Sequence, residues 1–378
     1  MADYKSILFE QMIKDFAENE VKPLAQEVDE LERFPAETVE KMAKLGLMGI
    51  IVPKEYGGAG GNYRMYISAV EELSKACATT GVILSAHTSL CAAPILEYGT
   101  EDQKKKYLPD LASGRKIGAF GLTEPNAGTD AANQQTTAVE MDDHYLLNGS
   151  KIFITNAGYA STYIIIAITG KGPKGPEMSA FIVESAFDGF SVGKKEKKMG
   201  IRGSSTCELI FENVKVPKEN LLGKRGDGFK IAMKTLDGGR IGIAAQALGI
   251  AEGALDATVA YVKSRKQFNR AIAQFQNTQF VLADLDTKIA AAKALVYTAT
   301  DAKQNKLPTL SVNAAQAKLF AAETAMEVTT KAVQLHGGYG YTREYPVERM
   351  MRDAKITEIY EGTSEVQRMV ISGALLRK

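Results

Sequence analysis

Glu361 is the residue in this sequence whose surroundings best suit acid–base chemistry. It stands between Tyr360 and Gly362, after an apolar stretch and before a run of hydroxyl residues at 363–364. A carboxylate isolated among apolar groups has a raised pKa, and such a base can take a proton from carbon. Taken alone, the segment is better explained as a solvated helix cap.

Three other segments combine glycines with polar residues. Residues 120–130 follow a strand and could hold a polar ring or a phosphate, although an ordinary strand exit is favoured for this segment alone. Residues 236–240 precede a predicted long helix, so they suit either an anion beside Arg240 or a simple helix cap. Residues 334–341 either end a helix or bring bare backbone close to a flat cofactor.

Composition and motif searches exclude several classes of function. The 378 residues include 46 Lys and Arg against 45 Asp and Glu, so no broad positive field is available for nucleic acid. There is no G-x-G-x-x-G after a strand, no Walker loop and no H-E-x-x-H. The three histidines share no metal-ligand spacing, so no metal site is predicted. A nucleotide cofactor would have to be held in another way, for example across a domain boundary.

Cysteine usage and hydropathy favour a cytoplasmic protein that does not bind a membrane. Cys77, Cys91 and Cys207 are widely spaced, which favours buried thiols over zinc or disulfides. The longest strongly apolar stretch, around 163–168, is too short to cross a bilayer. The N-terminus is charged and amphipathic, without an apolar signal core.

The sequence pattern changes twice, which predicts three domains at 1–116, 117–225 and 226–378. The first is helical, with apolar spacings of three and four at 18–31, where Pro23 must lie in a first turn or kink the helix. Another helix is predicted at 38–47, after Pro35.

The second domain reads as a compact β domain. Strands are predicted at 162–168, 178–184 and 206–211. Residues 145–154 are predicted to form a hairpin, because Asn148-Gly149 lies between apolar segments and both residues tolerate positive φ.

The third domain reads as an antiparallel helical bundle. Long helices are predicted at 241–263, 280–303 and 311–335, with Asp237 as the N-cap of the first. The fold class is therefore α+β.

Together, in this order, the segments resemble the acyl-CoA dehydrogenase family over nearly the whole chain. The family's signatures appear at 121–125 (GLTEP), 265–268 (RKQF) and 360–363 (YEGT). The sequence is most similar to short-chain members from anaerobic bacteria, of the butyryl-CoA dehydrogenase type. The resemblance implies an N-terminal helical domain, a central β-barrel-like domain and a C-terminal four-helix bundle.

The resemblance also implies FAD, bound between the β domain, the C-terminal helices and a neighbouring subunit. Matching motif to motif assigns one group of residues to the flavin and diphosphate and a second group to a partner subunit's FAD. The first group is Phe120, Leu122, Thr123, Thr129, Phe153, Thr155, Thr363 and Glu365; the second is Arg265, Phe268, Gln276, Gln334, Gly337 and Gly338. Arg265 and Phe268 are three apart, so they would share a face if they lay on one helix.

Glu361 matches the family's catalytic base, which takes the α-proton of an acyl thioester while a hydride passes from the β-carbon to the flavin. In some relatives the base comes from the position of Gly239, which has no side chain here. The resemblance assigns the substrate to Thr129, Asp237, Arg240 and Gly362.

The family pattern implies electron exchange with an electron-transferring flavoprotein and a homotetramer built as a dimer of dimers. The motifs leave the direction open, so a crotonyl-CoA or acryloyl-CoA reductase, in some cases within a bifurcating complex, remains an alternative. A non-catalytic assembly protein is the alternative from another class, and Glu361 and Arg265 argue against it. The acyl chain length is not readable from these motifs. Phe153, Thr129 and Asn269 replace the Trp, Ser and Gly of many relatives, without removing a required function.

Overall fold

A computed structural model describes residues 4–172 and 175–376. Helices make up the N-terminal and C-terminal parts, and the middle of the chain is a sheet. The α-helices are α1 (Tyr4–Phe16), α2 (Ala25–Glu30), α3 (Ala36–Lys44), α4 (Tyr63–Ala76), α5 (Ala78–Ser85), α6 (Ala93–Tyr98), α7 (Glu101–Ala112), α8 (Gly228–Ser264), α9 (Gln276–Gln304), α10 (Leu310–His336), α11 (Val347–Ile356) and α12 (Ser364–Leu375).

The strands are β1 (Ile117–Gly121), β2 (Thr137–Glu140), β3 (His144–Thr155), β4 (Ala160–Gly172), β5 (Gly175–Glu184), β6 (Phe190–Lys195), β7 (Thr206–Pro217), β8 (Leu221–Leu222), β9 (Lys266–Gln267) and β10 (Arg270–Ala271). Eight of them form one mixed sheet, in which the order β6-β7-β3-β2-β4-β5-β8 is hydrogen-bonded and β1 pairs in parallel with β4. The predicted strands at 162–168, 178–184 and 206–211 all lie within this sheet.

The N-terminal helices follow the predicted pattern, including its interruption. Pro23 lies at the start of a short 3-10 turn, Lys22–Leu24, between a π-helical segment and α2. Proline lacks a backbone N–H and cannot continue the preceding helical hydrogen bonds, which explains the change of helix type at this point. A second π-helical segment, Ala86–Ala92, joins α5 to α6.

The hairpin prediction at 145–154 was wrong, because β3 runs unbroken through Asn148-Gly149. Gly149 has φ +137°, and the pairing of β3 with β7 shifts register between Leu147 and Gly149. A Cβ at Gly149 would lie 2.6 Å from Thr136 Oγ1, so glycine allows the segment at Thr136 to pack closely against β3. The Asn148 side chain accepts a hydrogen bond from the Asn213 amide at 2.7 Å. The dipeptide marks a bulge.

The prediction that Asp237 caps a helix was also wrong. Helix α8 begins at Gly228, so residues 236–240 lie within it and their amides are not those of a free N-terminus. The two glycines had suggested a boundary. They are instead positions of close packing: a Cβ at Gly238 would lie 3.0 Å from the Tyr63 hydroxyl.

Arg265 and Phe268 do not share a helix face. Arg265 follows the last residue of α8, and Phe268-Asn269 forms the tight turn between β9 and β10. Both turn residues have positive φ, 52° and 60°, as a type I′ hairpin requires. The expectation that Asn269 tolerates the left-handed backbone is confirmed.

Buried hydrogen bonds connect the three parts of the chain. The Asn156 amide group donates to the carbonyls of Ile83, in α5, and Gly118, in β1. The Asp353 carboxylate, in α11, accepts a hydrogen bond from the Ile201 amide of the central part at 2.5 Å. Arg352 adds an ion pair with Asp29 at 2.6 Å. The sheet is therefore fixed to both helical parts.

One helical run, Ala78–Tyr98, has the length and apolar composition of a membrane span, which the sequence search had overlooked. Of its most apolar window, 94% is buried inside the protein, as in a core helix. The three cysteines are buried and unpaired, as expected. Within residues 4–172 and 175–376, no cluster of three His, Cys, Asp or Glu residues could hold a metal ion.

Candidate active site

Glu361 lies in the turn between α11 and α12, in left-handed backbone. Its φ is +55° and that of Gly362 is +88°. Thr363 is the N-cap of α12, since its side chain accepts a hydrogen bond from the Val366 amide. Glu361 is therefore not the helix cap, and its side chain is turned to the interior.

The carboxylate of Glu361 rests against helix α8. A Cβ at Gly239 would lie 2.6 Å from Glu361 Oε2 and 2.9 Å from Leu90 Cδ2, so only glycine leaves room here. Oε2 is buried, and none of the described residues is a hydrogen-bond partner for it. An oxygen in this condition can accept a proton without first breaking a protein hydrogen bond.

The electrostatic surroundings raise the pKa of Glu361 to about 7. Burial raises it, while the positive charges of Arg240 and Lys318 limit the rise. Arg240 is itself compensated by Asp237, whose carboxylate lies 2.8 Å from its Nη1 and also accepts a hydrogen bond from Ser311. The pKa of Glu361 therefore lies near neutral pH, in the range that suits a general base.

The loop after β1 lies against β3. The Ile152 amide donates to the Thr123 carbonyl at 2.9 Å. The buried Lys151 ammonium donates to the Leu122 carbonyl and, at 2.6 Å, to Glu124. Burial raises the pKa of Glu124, but Lys151, with hydrogen bonds from Thr136 and the Gln135 amide, lowers it overall, while burial lowers the pKa of Lys151 to about 8. These contacts fix the loop beside the end of β3.

The residues at this point fit a flat aromatic cofactor. Phe153 has φ +58° and its side chain is 60% exposed, so the sheet presents an aromatic ring at its surface. Thr155 and Thr123, both partly buried, add hydroxyls nearby on β3 and on the loop. Phe120 and Leu122 are buried in the apolar cluster that contains Leu90, next to Gly239. Thr129 is exposed further along the same loop.

The second predicted group, which the resemblance assigned to a partner subunit's FAD, lies elsewhere on the chain. Arg265, Phe268 and Gln276 are exposed around the β9–β10 hairpin, and Gln334, Gly337 and Gly338 are exposed at the end of α10. The guanidinium of Arg265 lies 5.5 Å from the Tyr339 ring centre, which brings the two sets together.

This second group is far from the base. The Lys318 ammonium donates to the Gly362 carbonyl, so Lys318 lies beside the turn that carries Glu361. Gln334 lies further along α10, about 24 Å from Lys318 at a rise of roughly 1.5 Å per residue. Thr363 and Glu365, by contrast, stay beside Glu361 at the start of α12.

Several residues at the site were missed by the sequence reasoning. Leu90, Lys151, Lys318 and Gln367 all contact the residues described above and are buried. A signal existed for Lys318, because its neighbours at 314, 317, 321 and 322 are alanines on one helix face. A lysine on such an apolar face is expected to have a buried hydrogen-bond acceptor or acidic partner.

Sequence profiles of three acyl-CoA dehydrogenase domains match this chain. The N-terminal domain matches at 5–115, the middle domain at 119–214 and the C-terminal domain at 226–376. The short-chain specific acyl-CoA dehydrogenase of Clostridium acetobutylicum is 66% identical over 98% of this chain and 97% of its own. The acryloyl-CoA reductase (NADH) of Anaerotignum propionicum is 51% identical over 98% and 94%.

Solved structures agree with these sequence matches. Butyryl-CoA dehydrogenase from Megasphaera elsdenii superimposes with a TM-score of 0.97 at 53% identity, covering 100% of this chain and 99% of its own. A chain solved in work on the electron transferring flavoprotein of Acidaminococcus fermentans and flavin-based electron bifurcation gives 0.97 at 56% identity, with the same coverage. An acyl-CoA dehydrogenase of Bacillus anthracis, 36% identical with a TM-score of 0.94, was solved with FAD; this chain covers 69% of it and is itself fully covered. This chain belongs to the acyl-CoA dehydrogenase family.

Proposed function

We propose that this protein is an FAD-dependent short-chain acyl-CoA dehydrogenase, which converts butyryl-CoA to crotonyl-CoA with Glu361 as the base. One observation carries the assignment: a buried carboxylate oxygen without a protein partner lies against Gly239, where a side chain would block it. The relatives named above as short-chain specific and as a butyryl-CoA dehydrogenase support the substrate class.

Glu361 removes the α-proton of the thioester. Its pKa of about 7 lets it accept the proton near neutral pH, and the apolar wall formed by Leu90 keeps water away. The Glu361 amide is proposed to donate to the thioester carbonyl, and a donor of this kind contributes about 3 kcal/mol to transition-state stabilisation.

The flavin is proposed to lie against Phe153, with Thr123 and Thr155 as hydrogen-bonding partners. When bound, FAD supplies the acceptor for the two electrons and the hydrogen that leave the β-carbon. Lys151 holds the loop carbonyl of Leu122 in place at 3.1 Å. Asp237 and Arg240 are proposed to line the path of the CoA group.

The proposal also covers the physiological direction of the reaction and the protein that exchanges electrons with the flavin. An electron-transferring flavoprotein is proposed as partner, on the support of the A. fermentans chain. The acryloyl-CoA reductase relative favours, as a second candidate, physiological reduction of an enoyl-CoA. Steady-state assays with saturated C3 to C8 acyl-CoAs and a dye acceptor, beside the enoyl-CoAs with reduced partner, distinguish the two.

The domain bounds 1–116, 117–225 and 226–378, a cytoplasmic location and a homotetramer are proposed as well. The aromatic residues Phe268 (87% exposed) and Tyr341 (88% exposed) are proposed as contacts with a second subunit, because covering exposed rings removes apolar surface from water.

The substitution Glu361→Gln tests the base. It keeps the shape and removes the ionisable group, so the variant is expected to bind FAD normally and to lose roughly 10²–10⁴-fold in kcat/KM for butyryl-CoA. Flavin absorbance and a dye-linked assay measure the two properties.

Glu323→Gln is the matched control. Glu323 is an exposed glutamate of α10 that pairs with Arg368. This variant should keep its activity. Wild-type activity in Glu361→Gln would refute the assignment of the base.

A further inference from the structure

Lys318 is a buried cation close to the turn that carries Glu361. Its side chain is fully buried in α10, on a face of alanines. Its Nζ donates a hydrogen bond to the Gly362 carbonyl at 2.8 Å. Burying an ammonium group is unfavourable unless nearby groups compensate for its lost hydration, so this position requires a reason.

The turn at Glu361 needs support from side chains, because left-handed backbone is unfavourable for a glutamate. Gln367, in α12, donates to the Glu361 carbonyl at 3.2 Å and to the Gly362 carbonyl at 2.7 Å. Lys318 reaches the same Gly362 carbonyl from α10. Two side chains from two helices therefore hold the turn, one of them neutral and one charged.

Lys318 and Gln367, the two side chains that hold the turn, differ in charge. The groups that face the Glu361 carboxylate are Arg240 from α8, Lys318 from α10, Tyr66 from α4 and the adjacent Tyr360. Asp237 already compensates Arg240 at 2.8 Å.

Lys318 has a different set of neighbours. Burial lowers the pKa of Lys318 to about 8, and Glu361 is the acid that opposes this most, ahead of Glu358 and Glu365. Arg240 adds repulsion, so the charge of Lys318 is stabilised chiefly by Glu361.

We propose that Lys318 is a positioning residue of the reaction: its ammonium group fixes the Gly362 carbonyl, and with it the left-handed turn, and its charge, together with that of Arg240, favours the ionised form of the Glu361 carboxylate. Gln367 shares the first task but not the second. The inference rests on the proposed role of Glu361 as the base.

The test compares variants of the FAD-loaded enzyme. Lys318→Met removes charge and donor at similar length, Lys318→Arg retains both, and Gln367→Met removes a neutral donor alone. Lys331→Met, an exposed lysine on the same helix, is the matched control. The kcat/KM for butyryl-CoA is measured from about pH 5.5 to about pH 9, where the acidic limb reports ionisation of the base in the free enzyme.

Lys318→Met is expected to move the acidic limb upward by about one pH unit, which lowers kcat/KM near pH 6 by roughly 10-fold more than near pH 9. Lys318→Arg should return the limb towards the wild-type position. Gln367→Met should lower kcat at all pH values and leave the limb unmoved, and Lys331→Met should match the wild type.

Infrared difference spectra provide a readout that does not depend on turnover. The protonated carboxyl band that is absent from Glu361→Gln should persist to higher pH in Lys318→Met. If Lys318→Met does not retain FAD, Lys318→Gln keeps a polar group and removes the charge, and the same upward shift is expected of it.

A wild-type acidic limb and carboxyl titration in Lys318→Met or Lys318→Gln would overturn the inference, even if overall activity fell. Glu361→Gln, assayed in parallel, separates the two hypotheses. Its inactivity together with an unmoved limb refutes only the role of Lys318, whereas its full activity refutes the base itself.

Discussion

A glutamate with positive φ is strained backbone, and here the strain lies at the residue that carries the proposed chemistry. Glu361 has φ +55° and is followed by Gly362 at +88°. Such a conformation costs on the order of 1–3 kcal/mol and persists only where its surroundings fix it. It turns the carboxylate inward to Gly239, which a regular helix start would not do. Sequence alone gave the residue but not this turn, because positive φ at glutamate has no sequence signature.

At the residue scale, the raised pKa of Glu361 predicts a pH dependence. The base must be ionised to act, and burial raises its pKa to about 7. Activity is therefore present above pH 7 and is expected to fall about tenfold per unit as the pH drops below that value. The pH profile of kcat/KM measures this. An acidic limb near about 4.3, the value of a free glutamate, would contradict it.

Gly239 gives a second prediction at this scale. In Gly239→Ala the new Cβ would meet Glu361 Oε2 at 2.6 Å and Leu90 at 2.9 Å, so the carboxylate must move. A displacement of about 1 Å can cost on the order of 10²-fold in rate. Overpacking costs about 1–3 kcal/mol, and the better helix propensity of alanine offsets about 1 kcal/mol of this. We expect low kcat/KM with retained FAD and a loss of stability that is small beside the loss of activity.

Gly238→Ala is the control for this change. It adds the same methyl group one residue earlier, where it meets the Tyr63 hydroxyl at 3.0 Å and not the carboxylate. Its kcat/KM should fall less. Equal losses in the two variants would mean that the methyl group disturbs helix α8 generally.

At the scale of elements, the three long helices of the C-terminal part and the strands within β4, β5 and β7 could be predicted, and the errors occurred where glycine allows close packing. Asn148-Gly149 has the composition of a hairpin turn, yet it is a bulge against Thr136 inside β3. Gly238 and Gly239 suggested the start of a helix, yet α8 continues through them because Tyr63, Leu90 and Glu361 approach closely. A contact from a distant part of the chain leaves no local signal, so the two uses of glycine look alike.

The bulge at Gly149 predicts a stability effect. Gly149→Ala places a Cβ 2.6 Å from Thr136 Oγ1, and such overpacking costs about 1–3 kcal/mol. The melting temperature should fall by roughly 1–4 °C. Gly175→Ala is a matched control, because Gly175 has nearly the same φ, +136°, but nothing within 4 Å of the added Cβ. Equal shifts in both would assign the effect to backbone strain alone.

At the scale of the whole molecule, two groups of proposed FAD residues lie apart on one chain. The loop beside Phe153 is linked to Glu361 through Leu122 and Leu90, which share one apolar cluster. Gln334, by contrast, lies at the end of α10, about 24 Å along the helix from Lys318, and Arg265 lies near that end beside Tyr339. This separation supports a flavin site completed by a second subunit. The family resemblance had implied that arrangement, and no property of the single sequence could give the distance.

The shared site predicts that FAD retention depends on assembly. Arg265→Ala should release FAD on dilution at protein concentrations where the wild type holds it, because the variant lacks the charged contact to the nucleotide that we propose for Arg265. Sedimentation velocity at a flavin wavelength measures bound FAD and oligomer size together. Arg115→Ala, which removes an exposed arginine paired with Asp110 at 2.6 Å, should behave as wild type. A monomer that keeps FAD on dilution would contradict the proposed arrangement.

The buried hydrogen bonds of Asn156 and Asp353 have a consequence for how this protein unfolds. Each joins the sheet to a different helical part, so separating any part exposes polar groups that have lost their partners. Heating should therefore produce one calorimetric transition for the whole chain, and cutting it between the matched domains should give fragments that neither fold independently nor recombine readily. The sheet domain, expressed alone, is therefore expected not to fold, whichever residues are chosen as its boundaries.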